Sequence, residues 1–431
     1  MNYFSHLIRS KGVGQLGQRA LTIGQRYGVT AAKMAQALEA LAGVLEQYEC
    51  QATFPITAVA LARHPAPIRK LQEQGIEFAV HGWTHMDLGS YSLEKQIAHL
   101  ARALDIFHRH GISVTGFRSP YLGHNGTIRQ AARTLGLQYV SNQPILWDVV
   151  PASPEHDGRF QDYQHAIDFY APWSPADCLS LPVWHEQIVE IPVSLPDDEM
   201  LVERLRATEG QITEAWTRIL DQTYTRGEMF ILQLHPERSL VCVSALERVL
   251  VLARSYAPPI WIARLDEIAE WWQQRSNLRV DVTNKDHCQY DIVIHGPAQA
   301  RALVRFAEIV GESEAWGDNY RLMKPQRFSV LCCARPCIGV SARTDKSLVN
   351  CLIQHGYIVE IGEQHAGYSI YFDRPAPGEK GEKSLMEEIE AAEIPLIRIS
   401  RWPNGARSAL AITGDVDALT LWDYGLRLWG R

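Results

Sequence analysis

Two histidines and two aspartates, far apart along the chain, are the residues of this sequence best suited to chemistry. In Ile76-Glu-Phe-Ala-Val-His81-Gly-Trp-Thr-His85, an apolar run with strand character ends at one imidazole, and a second follows past a glycine. Imidazole is the commonest protein ligand for zinc-like ions, so two of them held at a strand end can share one. Near the other end of the chain, Ala409-Leu-Ala-Ile-Thr-Gly-Asp415-Val-Asp417 is a compact strand that delivers two carboxylates, spaced i,i+2, to one mouth. One can bind a metal while the other stays free to take a proton. Both motifs also have ordinary readings. Among 16 histidines in 431 residues some i,i+4 pairs arise by chance, and Asp415 and Asp417 suit the cap of a helix starting at Ala418.

Strands must carry these groups. The sequence predicts a helix over 31–48, capped by Thr30, and then strands at 52–57, 76–80, 113–117, 137–141, 188–193, 229–234 and 259–264. Helices at 67–74, 92–110, 127–134, 210–224, 243–255 and 265–274 alternate with them, around an irregular stretch at 144–188. Such alternation argues for an α/β protein with a mostly parallel sheet, and the number of units suggests closure into a barrel. From 277 the pattern changes to short strands at 278–283, 290–295, 327–333, 356–361 and 367–372, with helices near 297–310 and 344–354 and a charged loop from Pro375. Residues 277–398 therefore read as a second, smaller α+β domain. Residues 1–29, polar and rich in Gly, Gln and Arg, read as a surface loop or weak helix.

Composition excludes several classes. A net charge of −7, 46 % hydrophobic and 21 % charged residues are those of an ordinary soluble globular protein, with no basic face for nucleic acid. No run approaches the roughly 18 apolar residues that a membrane helix needs, and the first residues lack a signal-type apolar core, so a cytoplasmic protein is expected. The eight cysteines are irregularly spaced without a C-x-x-C pair, which fits reduced, buried thiols. Cys332, Cys333 and Cys337, with His287 and Cys288, offer a second metal cluster, against which buried strand thiols are the simpler reading.

Four segments together resemble the polysaccharide deacetylases of carbohydrate esterase family four, the nodulation-factor deacetylase homology domain. His81-Gly-Trp-Thr-His85 is similar to that family's histidine motif, Arg118-Ser-Pro120-Tyr121 to its Arg-x-Pro-Tyr loop, and Leu232-Gln-Leu-His235 to its last strand end. Leu265-Asp-Glu-Ile-Ala-Glu-Trp-Trp is similar to its closing helix. The family's Asp pair belongs on the first strand, but here Thr413-Gly-Asp415-Val-Asp417 matches it near the C-terminus, with Gly414 where an aromatic is usual.

The resemblance thus implies a distorted (β/α)7-type barrel that is circularly permuted. Residues 1–276 form its main part, 277–398 an inserted α+β domain, and 399–431 supply the first strand, either to their own barrel or, by domain swapping, to a neighbour's in a homo-oligomer. It implies a divalent metal, Zn2+ or another transition ion, on Asp417, His81 and His85. Asp415 becomes the base held by Arg118, His235 the acid for the leaving nitrogen, and Tyr121, beside Pro120, the donor of a backbone N–H to the oxyanion. Asp148, Trp147 and Trp184 fall in loops that line the substrate groove of relatives, although the tryptophans equally suit packing. The implied function is metal-dependent hydrolysis of a non-peptide carbon–nitrogen bond, N-deacetylation of an amino-sugar substrate. The alternatives are an allantoinase-like hydrolase of another linear or cyclic amide, and a catalytically silent glycan- or partner-binding module.

Overall fold

The computed structural model describes residues 23–24, 26–151, 158–286, 288–363, 367–373 and 381–426. The expected N-terminal loop up to residue 22, His287 and the charged loop from Pro375 to residue 380 lie outside the described residues. Among the described residues no helix is long and apolar enough to cross a membrane.

The centre of the architecture is the strand Ser408–Gly414, buried along its whole length. One edge pairs in parallel with Met229–Leu234, residue for residue from Ala409–Met229 to Gly414–Leu234. Its other edge pairs first with Ile260–Ile262 and then, at Thr413, with Thr53 of the strand Thr53–Ile56. From there the parallel sheet continues through Glu77–Val80, Gly116–Phe117, Tyr139–Val140 and Ile188–Glu190, and ends on the antiparallel strand Val183–His185. The two central strands are near-continuous apolar runs because helices cover both faces, the usual condition of a parallel sheet.

One of those helices, Ala32–Gln47, buries Met34, Leu38, Leu41 and Leu45 on a single stripe, each such side chain contributing roughly 1.5–3 kcal/mol. It begins after Ala31 without a side-chain cap, so Thr30 does not play the capping role expected of it. The strand–helix alternation otherwise follows the sequence pattern. A further helix, Ala58–Arg63, lies directly before Pro65–Glu73, and the irregular stretch contains the helix Gly158–Tyr170.

The sheet curls but its hydrogen-bonded ladder does not close into a ring among the described residues. Two of its strands are only two residues long, and Pro192, which has no N–H to donate, separates Ile188–Glu190 from Val193–Leu195. Val193–Leu195 leaves the main sheet and pairs with Pro144–Leu146 instead. It meets Met229–Leu234 through a side chain, Ser194 Oγ accepting from the Ile231 N–H at 3.4 Å.

Residues 279–399 form two four-stranded antiparallel sheets and a three-stranded parallel one, with the helices Lys346–Gln354 and Gly381–Ala391. The helix expected near 297–310 is instead the strands Ala302–Arg305 and Glu308–Val310. Ala302–Arg305 is buried between Tyr320–Met323 and Leu396–Ile399, so pairing on both edges overrides the helical preference of its alanine and leucine. Leu396–Ile399 leads through the buried Trp402, which packs on Trp272, into the central strand.

Candidate active site

The parallel strands deliver their C-terminal ends to one small cavity of about 70 Å³. Ser408–Gly414 ends at Asp415 and, two residues on, Asp417; Glu77–Val80 ends at His81; Gly116–Phe117 ends at Arg118; Met229–Leu234 ends at His235. Register explains the meeting. Thr53 sits opposite both Thr413 and Glu77, and Val80 opposite Phe117, so the strand ends are level.

On one wall, the Asp417 carboxylate lies 3.4 Å from His81 Nε2 and 3.2 Å from His85 Nε2. His81 Nδ1 is 2.7 Å from the Arg118 carbonyl. A carbonyl only accepts, so Nδ1 carries a proton and Nε2 is the nitrogen turned toward Asp417. Gly82 makes the turn between the histidines. Its φ is +82°, and a Cβ there would sit 3.0 Å from His99 Nε2 and from the Thr84 carbonyl. His99 holds that loop by accepting the Trp83 N–H at 2.8 Å, and burial keeps its imidazole down at about 4.

The floor is an extended clamp. Arg118, fully buried, donates from Nη1 to Asp415 at 2.9 Å and to Thr413 Oγ1 at 2.7 Å, and from Nε and Nη2 to Ser141. Gln233 donates to the other Asp415 oxygen at 2.9 Å. Behind Ser141, the buried Glu190 accepts the N–H groups of Asn142 and Gln143. Burial, only partly offset by those donors and by Arg129 and Arg118, pushes Glu190 up to about 7. Breaking a buried pair such as Arg118–Asp415 by removing one member costs about 3–5 kcal/mol, so this arginine is no surface ion-pair partner. Neither aspartate caps a helix. The closing helix starts only at Leu421, where Asp423 and Thr420 exchange hydrogen bonds.

Gly414, which stands where an aromatic is usual, has a local reason. A Cβ at 414 would come within 2.8 Å of the Phe54 ring, which occupies that space from the neighbouring strand.

On the opposite wall His235 was expected, but its partners were not legible from the motifs. His235 Nδ1 lies 2.6 Å from Asp198, whose other oxygen accepts the His235 N–H at 2.7 Å. Burial opposes charge on this ring, but the Asp198 carboxylate outweighs burial and the repulsion of Arg238, pushing the imidazole up to about 10. Asp197 alongside is pushed up to about 7, by burial first and then by Asp198. The sequence signal was the acidic run Asp197-Asp198-Glu199, which follows the strand expected at 188–193.

Tyr121 also lines the cavity, its ring 4.5 Å edge-on from His85 and its backbone in the left-handed region at φ 59°. A non-glycine residue held there marks stored strain of the kind found at functional sites. Pro120 is buried beneath it. Three expected groove residues are placed elsewhere. Trp147 is a core side chain, 1 % exposed, with Arg226 over its ring. Asp148 beside it is exposed, and Trp184, half-buried on the edge strand, packs against the core that holds Tyr139, Val189 and Ile191.

The curled α/β sheet thus gathers two carboxylates, three imidazoles and a buried arginine at its strand ends, groups able to move protons and hold a metal. Residues 21–140 match the family model described as polysaccharide deacetylase. That segment holds His81, His85 and Arg118 but not His235 or the Asp pair. Over 106 residues the chain is 29 % identical to chitin deacetylase 2 of Saccharomyces cerevisiae, covering 24 % of this chain and 32 % of the yeast protein, or about a third of its length. Among solved structures, a provisionally assigned polysaccharide deacetylase from Mycobacterium smegmatis is 22 % identical with a TM-score of 0.44, covering 62 % of this chain and 85 % of that one. PuuE allantoinase is 18 % identical with a TM-score of 0.44, covering 55 % and 72 %.

Proposed function

We propose that this protein is a divalent-metal-dependent deacetylase that hydrolyses the N-acetyl amide of an amino-sugar substrate. What carries the reading is one arrangement: Asp415 clamped by Arg118, Asp417 facing His81 and His85, and His235 charged by Asp198, all around a single cavity. The donor set fits a zinc-like ion, because the candidate ligand atoms of His81, His85 and Asp417 lie within 4.8 Å of one another. Two imidazoles and one carboxylate leave positions open for water and substrate. When bound, the ion supplies Lewis acidity for an unreactive amide.

The remaining work falls to the chain's own groups. Asp415, fixed at both oxygens, takes the proton of the attacking water. Arg118 and Gln233 keep it oriented. His235, protonated at neutral pH, gives its proton to the departing nitrogen, since an amine anion does not leave at that pH. The Tyr121 N–H is assigned to the oxyanion.

The order of segments supports a permuted barrel. Residues 1–276 and 399–431 make one catalytic unit, with 277–398 inserted between the last helix and the strand that relatives place first. A parallel sheet tolerates this, because a strand has only to be in place, not first in sequence.

The test is acetate release from N-acetylated amino-sugar oligomers by zinc-loaded protein, alongside a screen of allantoin-type amides. Acetate release abolished by Asp415→Asn, with metal content unchanged, is the expected result. Turnover of cyclic amides alone would move the reading to the allantoinase-like activity, and turnover indifferent to Asp415→Asn would end it.

A further inference from the structure

Outside the cavity, one group of side chains has the composition of a metal site and no part in the proposed reaction. Cys351 and His355 stand one turn apart, i,i+4, at the C-terminal end of the helix Lys346–Gln354, which puts them on one face. The helix Gly381–Ala391 brings Glu382 across to them. Candidate ligand atoms of the three lie within 4.8 Å of one another. His355 Nε2 is 2.6 Å from a Glu382 oxygen.

We propose that Cys351, His355 and Glu382 bind a second divalent transition metal, with a zinc-like ion held by sulfur, nitrogen and oxygen and with water completing a tetrahedron. A thiolate, an imidazole and a carboxylate together match the preferences of zinc and cobalt, whereas magnesium and calcium take oxygen alone. Ligands about 2.0–2.3 Å from one ion stand roughly 3.5 Å apart, so His355 and Glu382 have to separate by about 1 Å. Glu382 is able to move, since its side chain is 56 % exposed while His355 is only 4 % exposed.

Two further observations agree. Among the described residues, the second ring nitrogen, His355 Nδ1, is buried with no hydrogen-bond partner, and the ring's side-chain hydrogen-bond contact is with Glu382. The guanidiniums of Arg401 and Arg275 lie near His355. Charge also balances. Thiolate and carboxylate carry two negative charges, the ion cancels them, and the two nearby guanidiniums then face a neutral cluster rather than a bare cation. Binding would tie the helix Lys346–Gln354 to Gly381–Ala391 and release the thiol proton to solvent.

Sulfur makes the test independent of the catalytic cavity, whose proposed ligands are nitrogen and oxygen only. Full-length protein is titrated with Co2+ alone, and the near-ultraviolet thiolate-to-cobalt charge-transfer band is followed. The band is expected in the wild type and in His81→Ala, and lost in Cys351→Ser. Glu382→Gln, at an exposed position that endangers folding least, keeps the band but weakens Co2+ affinity by about tenfold or more, since even indirect partners of a ligand are worth about 10–100-fold. Cys288→Ser, which removes an exposed thiol elsewhere, leaves it unchanged. No band in the wild type, or a band that survives Cys351→Ser, overturns the proposal. A band without catalytic turnover leaves it standing and removes only the deacetylase reading.

Discussion

The two walls of the cavity hold a histidine in the same way and give it opposite character. His81 and His235 each end a strand, and each has its Nδ1 tied down, at 2.7 and 2.6 Å. The partner of His81 is a neutral carbonyl, which fixes a tautomer and turns Nε2 toward Asp417. The partner of His235 is a carboxylate, which holds a proton on the ring up to about pH 10. In the proposed mechanism the ligand and the acid therefore differ by the charge of one hydrogen-bond acceptor, not by position on the strand.

Removing the ligand character is the severest way to break this contrast. His81→Ala, or chelation of the wild type, is expected to abolish deacetylation. Added Zn2+ restores the chelated wild type but not the variant, as read by acetate release and metal analysis. Next comes the acid. Asp198→Asn replaces a charged acceptor by a neutral one and makes His235 resemble His81. We expect kcat/KM at neutral pH to fall about 10²-fold, and the basic limb of its pH profile to move from near 10 toward the ordinary histidine value of about 6.5. A limb that stays in place shows that another group titrates there.

A smaller effect sharpens the proton's role. Gln233→Leu removes one of the donors that orient Asp415 and should lower kcat by about tenfold, comparable to the net loss of a single hydrogen bond to a charged group, with the metal retained. The gentlest readout is stability. A histidine whose folded pKa is raised contributes stability that is complete below its unfolded value of about 6.5 and is lost as pH rises through about 10. Between about pH 6.5 and 10 the wild type should lose more of its urea midpoint than Asp198→Asn, and equal slopes would mean that Asp198 does not charge His235.

Much of this protein was legible in its residues because strands and amphipathic helices announce themselves by local pattern. The apolar runs ending at His81, Arg118, His235 and Asp415 gave the chemistry and the strand ends that carry it. The i,i+2 spacing of Asp415 and Asp417 sent two carboxylates to one mouth. Local pattern failed where long-range pairing was stronger. Ala302–Arg305 reads as helix but is held as strand by a neighbour on each edge, and for Trp147, which suited either a groove or packing, only the fold shows the side chain buried in the core. Local pattern also could not choose the partners of the candidate groups. Asp198, Gln233, Thr413 and Ser141 are ordinary polar residues in sequence, and only the level register of the parallel strands sets them against His235, Asp415 and Arg118. Side-chain type determines what each group is able to do, while the protonation and orientation that make it an acid, a base or a ligand come from neighbours that folding alone brings within 3 Å.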